Sequence, residues 1–339
     1  MKIRMSAART PLVAIAVATS LLAAACSSSS GSGAAGPGQK ASVDVASVTL
    51  NIGDQKGTGA QALLTAAGLI NKLPFHAVWS DFTSGPPMLQ ATGSGSVDIG
   101  GVGDAPPVVA AAGGYNVDIV GARTANPLAA AVLVPKNSPI HSVAQLRGKK
   151  IAMAPGSSGN YNLLQVLDKA NIPVSAVTLD SLQPADALAA FASGQVDAWD
   201  VWSPYIEQAV AQDHARILVT GQPYQATYSF EVACKAALAN PGKAAAIKDY
   251  LKLLNQAYVW ADKNYLGWAK SWAAATSLPI GVMNLAAKDD ETTPVPVNST
   301  VISSEQSVAD NFAAAKLIPV KPDMATFMVG TFNDTVPSS

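Results

Sequence analysis

Apolar residues alternate with polar ones at Val48, Leu50 and Ile52, which predicts a strand as the chain leaves Val45. A glycine-bounded break at 53–59 follows. Residues 61–73 then change to a helical period, with Leu63, Leu64, Leu69 and Ile70 as the apolar positions. His76, Val78 and Trp79 predict a second strand. A strand–helix–strand order begins an α/β domain with a largely parallel sheet. Farther on, residues 143–146 predict a short helix stopped at Gly148, and residues 150–154 a strand. Residues 160–170 predict an amphipathic helix with Leu163, Leu164, Leu167 and Ala170 on one face, and residues 177–179 another strand. Beyond about residue 228 the chain turns mostly helical. Residues 243–262 form one long helix striped by Ile247, Leu251, Leu254 and Tyr258, and Pro294, Pro296 and Pro319 punctuate the remainder.

One internal echo organises this pattern. Leu89 is followed by Gly95-Ser96-Val97-Asp98, and Leu188 by Gly194-Gln195-Val196-Asp197. Both features recur at the same offset. Each reads as a helix, a glycine stop and a short strand leading into a loop rich in binding groups. Either this is a common way to leave a helix for a strand, repeated by coincidence, or the chain holds two lobes of similar build.

Composition narrows the class. The chain has 339 residues, 49% of them hydrophobic and 13% charged, enough to bury a sizeable core. With a formal charge of -1 it carries no basic stripe of the kind nucleic acid requires. The first 26 residues read as a targeting segment: Lys2, Arg4 and Arg9, a short apolar run from Leu12 to Leu22, then Ala23, Ala24, Ala25 and Cys26. That run is shorter than the roughly 20 residues a bilayer span needs. Cys26 stands where a bacterial lipoprotein signal resembling Leu-Ala-Ala/Gly-Cys places its acylated cysteine, although Leu22 sits one position too early. The Ser/Gly-rich stretch at 27–45 reads as a flexible tether. Removing residues 1–26 takes away three basic residues and no acidic one, so the mature chain is acidic and must recognise an anion locally. Cys234 is the one cysteine left and reads as a buried structural thiol; no intramolecular disulfide is available.

Catalytic signals are poor. His76, His141 and His214 are widely spaced without metal-ligand neighbours, and neither a nucleophile elbow nor a phosphate-binding loop occurs. No metal and no cofactor are expected. Binding signals repeat a theme: four loops, each between a strand and a helix, where open α/β sheets bind ligands. Gly103-Asp104-Ala105-Pro106-Pro107 opens one helix, with Asp104 either a cap alone or part of an anion site. Pro155-Gly156-Ser157-Ser158-Gly159 offers hydroxyls beside a helix N-terminus, again as cap or as anion cradle. Ser84 and Gly85 open a third helix. Trp199 and Trp202 in the fourth segment either wall a pocket or belong to the core.

These segments carry a resemblance. Asp54-Gln55-Lys56-Gly57, the run from Ser84 to Leu89, Val97-Asp98-Ile99-Gly100 with Gly103 to Pro107, Gly156-Ser157-Ser158, and Val196 to Trp199 with Trp202 to Tyr205 resemble the periplasmic alkanesulfonate-binding proteins. Those belong to the nitrate/sulfonate/taurine group of ABC-transporter solute receptors, and the likeness runs from about Val48 to Pro322. It implies an α/β, two-lobed periplasmic-binding-protein fold of type II, with two crossing segments and the ligand in the cleft. The lobes would be 46–130 with 228–338, and 131–227. Carried over as ligand-binding candidates are Gln55, Ser84, Gly85, Gly103, Asp104, Ser157, Ser158 and Trp202, the last as a wall for an alkyl chain. Lys56 and Arg123 are possible counter-charges, or else solvated surface. Asp104 would repel an anion, so its expected role is to cap its helix or fix a neighbouring donor.

The implied function is a non-catalytic, lipid-anchored receptor. It would hand an aliphatic sulfonate to a membrane permease on the outer side of the cytoplasmic membrane, act as a monomer and supply a sulfur source. Taurine, nitrate or an aromatic sulfonate are alternative ligands on the same fold; taurine would need an acidic partner such as Glu231 or Asp200. The rival from another class is a desulfinase-like enzyme with a cysteine nucleophile, for which Cys234 would be the candidate.

Overall fold

The computed structural model describes residues 44–55, 59–222 and 228–338. Through the first lobe the chain runs β1 (Thr49–Gln55), α1 (Ala60–Ala66), β2 (His76–Phe82), α2 (Gly85–Gly93), β3 (Ile99–Val102), α3 (Ala105–Ala112) and β4 (Val117–Thr124). It then makes β5 (Ala130–Val134), β6 (Lys150–Met153), α4 (Ser158–Lys169), β7 (Thr178–Ser181), α5 (Pro184–Ala192), β8 (Ala198–Trp202), α6 (Tyr205–Gln212) and β9 (Arg216–Thr220). It finishes with β10 (Tyr228–Cys234), α7 (Lys235–Ala239), α8 (Pro241–Lys263), α9 (Tyr265–Thr276), α10 (Ile280–Asp289), β11 (Pro294–Val295) and α11 (Ser299–Ala314).

Two sheets result. One has the order β11-β4-β10-β3-β1-β2, the other β7-β6-β8-β5-β9. β1 runs parallel to β2 and β3, and β6 parallel to β7 and β8, while β10 and β5 run antiparallel to their neighbours. The chain therefore leaves the first sheet after Thr124, builds the whole of the second, and re-enters the first at Tyr228. Each sheet is covered on both faces. The first packs against α1, α8, α9 and α10 on one side and α2, α3 and α11 on the other.

The echo at an offset of 99 residues is structural. Asp98 precedes β3 and accepts the Asn51 amide of β1 at 2.8 Å; Asp197 precedes β8 and accepts the Lys150 amide of β6 at 2.8 Å. In both lobes a carboxylate pins the start of the neighbouring parallel strand, which random recurrence of a short motif does not produce. Lys243 from α8 completes the first of these, its ammonium 2.7 Å from Asp98.

Two sequence expectations are corrected. The helix expected over 61–73 ends at Ala66, because Gly68 adopts a left-handed φ of 69°, and only a short 3-10 turn, Ile70–Lys72, follows. The single apolar face expected on residues 160–170 is split. Leu163, Val166 and Leu167 of α4 fill their own lobe, but Leu164 and Tyr161 sink into the core of the first lobe. Tyr161 stacks on Phe312 of α11 there, ring centroids 5.7 Å apart.

Candidate functional site

A cavity of about 130 Å³ lies where the two sheets face each other, at the carboxyl ends of β1, β3 and β8. Of the expected residues, Gln55, Gly85, Gly103, Asp104, Ser157, Ser158 and Trp202 all line it. Ser84 does not. It is fully buried behind the rim, and its hydroxyl donates to Gln183 Oε1 at 2.8 Å, an oxygen that also accepts from Thr83. Lys56 and Cys26 lie outside the described residues.

The donor supply is uneven. At α4, Ser157 is the N-cap: its Oγ accepts the Asn160 amide at 3.2 Å and donates to the Ala154 carbonyl at 2.7 Å, so that hydroxyl is engaged internally. By helix geometry the Ser158 and Gly159 amides have no intrahelical acceptor, and the Ser158 hydroxyl, which also interacts with the Asp104 carboxyl, stands beside them. At α3 the first turn offers no free amide from Ala105 to Pro107. The Ala105 amide bonds to Asp104 Oδ1 at 2.8 Å, and Pro106 and Pro107 have no N–H to offer. Asp104 is thus the cap of α3, as expected for it. The second helix start is a weak anion donor and the α4 start a strong one.

Gly103 and Ser158 bring the two starts together. A Cβ built on Gly103 would sit 2.1 Å from Ser158 Oγ, so only glycine permits this approach. Gln55 is held by its own Nε2, which donates to the Gly101 carbonyl at 2.7 Å. The tryptophans separate: Trp199 is buried between Phe191 and Tyr205, whereas Trp202 reaches the cavity and meets Tyr205 edge-on.

Arg123 lines the cavity as well and is buried, contrary to the surface alternative. Its guanidinium bonds Glu231 at 3.0 Å and lies 4.8 Å over the Tyr258 ring. The charge of this cation is therefore already matched. Burial pushes the Glu231 carboxyl up to about 7, with Arg123 opposing. Burial does the same to Asp104 and Asp290, each to about 7. Neither Glu231 nor Asp200 lines the cavity. Glu231 faces Arg123, and Asp200 lies beneath α4 and accepts from Asn162 at 2.8 Å. Asp290 is the acidic group that reaches the cavity besides Asp104, and Trp268 Nε1 donates to it at 3.3 Å.

Sequence reasoning missed Gln183, Tyr258, Asp290 and Asn126. For Gln183 a signal was present. It stands 99 residues after Ser84, so the two N-caps of the repeat meet each other across the cleft. Tyr258 reads as one more apolar stripe position, and Asp290 as an ordinary helix end. Cys234 is buried at the far end of β10 among α1, α7 and α8 and does not line the cavity.

Known proteins resemble this chain in sequence and in fold. The family model described as NMT1/THI5 like matches residues 84–261. An aliphatic sulfonates-binding protein of Escherichia coli (strain K12) is 36% identical over 278 residues, 81% of this chain and 86% of its own length. Among solved structures, the alkanesulfonate-binding protein SsuA from Xanthomonas axonopodis pv. citri, bound to MOPS, superposes with a TM-score of 0.78 at 32% identity, covering 83% of this chain and 98% of that one. The periplasmic aliphatic sulphonate binding protein SsuA from Escherichia coli gives 0.73 at 34% identity, covering 83% and 92%.

Proposed function

The chain belongs to the NMT1/THI5-like family, its relatives there are aliphatic-sulfonate-binding proteins, and from that premise we propose that it is the solute receptor of an ABC importer, capturing aliphatic sulfonates between its lobes. The observation that carries this reading is the α4 start. Two amides without intrahelical acceptors and the Ser158 hydroxyl stand at a cavity whose lining cation, Arg123, is already paired. A sulfonate stays ionised across the physiological range and only accepts hydrogen bonds. Neutral donors at a helix N-terminus suit it, each charge-assisted bond contributing about 1.5–3 kcal/mol. Ser158, Gly103, Gly85 and Gln55 surround the headgroup in this reading, and Trp202 lies along the alkyl chain. Lobe limits of 46–130 with 228–338, and 131–227, fit the membership of the two sheets.

The receptor performs no chemistry on its ligand. In support, Cys234 is buried away from the cavity, where a thiol lacks access to a ligand. Export and anchoring through an acylated Cys26 rest on the sequence of residues 1–43; incorporation of labelled fatty acid that is lost in Cys26→Ser tests them. The ligand is tested by calorimetric titration of the purified protein with short alkanesulfonates, taurine, nitrate and sulfate. Tight binding of an alkanesulfonate in preference to sulfate and nitrate is expected. Absence of binding by every alkanesulfonate overturns the assignment.

A further inference from the structure

Asp200 lies in the middle of β8, fully buried, and projects on the Ala198 side of the strand into the layer beneath α4. Val132, its partner across the ladder, together with Val134, Ile151, Met153, Leu163 and Val166 makes that layer apolar. One polar side chain joins it there. Asn162 of α4, also fully buried, donates its Nδ2–H to Asp200 Oδ2 at 2.8 Å. The remaining oxygens, Asp200 Oδ1 and Asn162 Oδ1, are both buried and both without a hydrogen-bond donor among the described residues. An ionised Asp200 thus leaves one amide group facing three acceptor oxygens, and turning the amide over does not change that count. Buried acceptors without donors are costly, and a buried charge without a partner is more so.

We propose that Asp200 is a neutral carboxylic acid whose proton is donated to Asn162 Oδ1, closing a ring of two hydrogen bonds between acid and amide, and that this leaves the start of α4 free to hold an anion on its other side. The second half rests on the receptor reading above. The charged and titratable groups of the surrounding elements are engaged elsewhere. On β6, Lys150 pairs with Asp180 of β7, and Arg216 of β9 bonds the carbonyls of Lys136, Ser138 and Ile140. Asp168 and Lys169 are exposed on the last turn of α4, as is Asp186 on α5. Tyr161 of α4 is embedded in the first lobe, and Asp104 of that lobe meets α4 at the Ser158 hydroxyl. On the other face of the sheet, Glu207 of α6 accepts from Ser203 at 2.9 Å, and Tyr205 packs on Trp199 and Trp202. No cation is therefore placed to neutralise Asp200 among the described residues. Burial accordingly raises its carboxyl well above the usual range, with the Asn162 bond opposing.

The position of this carboxyl gives its proton a consequence for the ligand. A Cβ built on Gly159 would sit 3.1 Å from Asp200 Oδ1, so the carboxyl lies directly beneath a residue whose amide is a proposed sulfonate donor. The positive end of a helix attracts an anion from either side. An ionised Asp200 would occupy that end from below and repel a sulfonate arriving from the cleft, across a buried layer that screens charge weakly. As an acid it satisfies Asn162 and leaves the helix start to the ligand. A neutral Asp200 also offers no charge to the ammonium of taurine. Asp200 does not line the cavity; it is a positioning residue that acts through α4.

The test is infrared spectroscopy of the purified protein at pH 8, where the carboxyls raised to about 7 are mostly ionised. The wild type should show a protonated-carboxyl C=O stretch that Asp200→Asn removes and that Asn162→Ala shifts by opening the ring. Either variant carries the test if the other fails to fold. Asp200→Asn replaces the acid–amide ring by an amide–amide one, so its Tm should stay near that of the wild type, whereas Asp200→Leu strands Asn162 and lowers the Tm by several degrees. Calorimetric titration with ethanesulfonate should give Asp200→Asn a Kd within about twofold of the wild type. Protonated-carboxyl absorption that neither variant alters refutes the neutral acid and leaves the receptor reading standing. So does binding tightened about tenfold or more in Asp200→Asn, the mark of a removed negative charge. Ethanesulfonate and butanesulfonate that fail to bind the wild type overturn the role at α4 together with the receptor reading, while the infrared bands still decide the acid–amide pair.

Discussion

The close approach of Gly103 to Ser158 makes Gly103→Ala the sharpest perturbation of the cleft. The added methyl would stand 2.1 Å from Ser158 Oγ and 3.1 Å from its Cβ. Normal carbon contacts are about 3.5–4.0 Å, so the overlap is real for both atoms. Turning the serine hydroxyl aside relieves the first contact but moves that donor out of the cradle, and the second remains tight. Otherwise the loop before α3 and the start of α4 must part, which separates donors contributed by different lobes. On the proposed site, either way costs at least one charge-assisted bond to the ligand. At about 1.5–3 kcal/mol for such a bond, the Kd rises roughly 10- to 150-fold. Folding is little affected, because the clash lies between lobes and the Gly103 backbone is not in the left-handed region. Titration calorimetry beside thermal melts separates these effects. Adding Ser158→Gly to Gly103→Ala removes the overlap, so it should add less loss than Ser158→Gly causes alone. Binding within about twofold of wild type in Gly103→Ala, with an unchanged Tm, would refute the claim that the ligand is held with these surfaces in contact.

Three further outcomes follow from the same geometry. Arg123→Met leaves Glu231 buried without its cation and should cost about 3–5 kcal/mol, read as a lower Tm, with much of the loss recovered when Glu231→Gln is added. Gln183→Ala removes the acceptor shared by Ser84 and Thr83 across the cleft; two bonds of about 1 kcal/mol each predict faster ligand release in stopped-flow with little change in the association rate. Asp104, Glu231 and Asp290, all raised to about 7 by burial, ionise near 4 when unfolded. The folded state therefore holds more protons between about pH 4 and 7, and stability falls as pH rises through that window, by on the order of 2–3 kcal/mol between pH 5 and 8 for Asp104 alone. A Tm higher at pH 8 than at pH 5 would contradict this.

Much of the fold was legible because it rests on local periodicity. β1, β2, β6 and α8 lie where alternation and the helical stripe put them, and the repeated Gly-x-Val-Asp turn marked the two lobes. The site was legible as far as glycines, serines and prolines at strand-to-helix turns reveal it. What escaped was set by distant partners. Leu164 has the spacing of its own lobe's core and the contacts of the other lobe's. Arg123 reads as either a counter-charge or surface until Glu231, 108 residues on, is found bonded to it. Glu305 looks like one more charge on a helix, and nothing local announces that α11 is packed so as to bury it.

The sharing of α4 between both cores constrains how the molecule admits a ligand. Tyr161 and Leu164 are embedded in the opposite lobe, and exposing them would forfeit about 1.5–3 kcal/mol apiece. Among the described residues, the rim on the Ser84 side is held by two hydrogen bonds to one glutamine oxygen. A door swings at its lightest fastening. The motion expected to cost least keeps α4 seated as an axle and lifts the Gln183 edge, so that the amides at the start of α4 would turn nearly in place. An arriving solute would then meet its principal donors already assembled, and closure would add the wall around it.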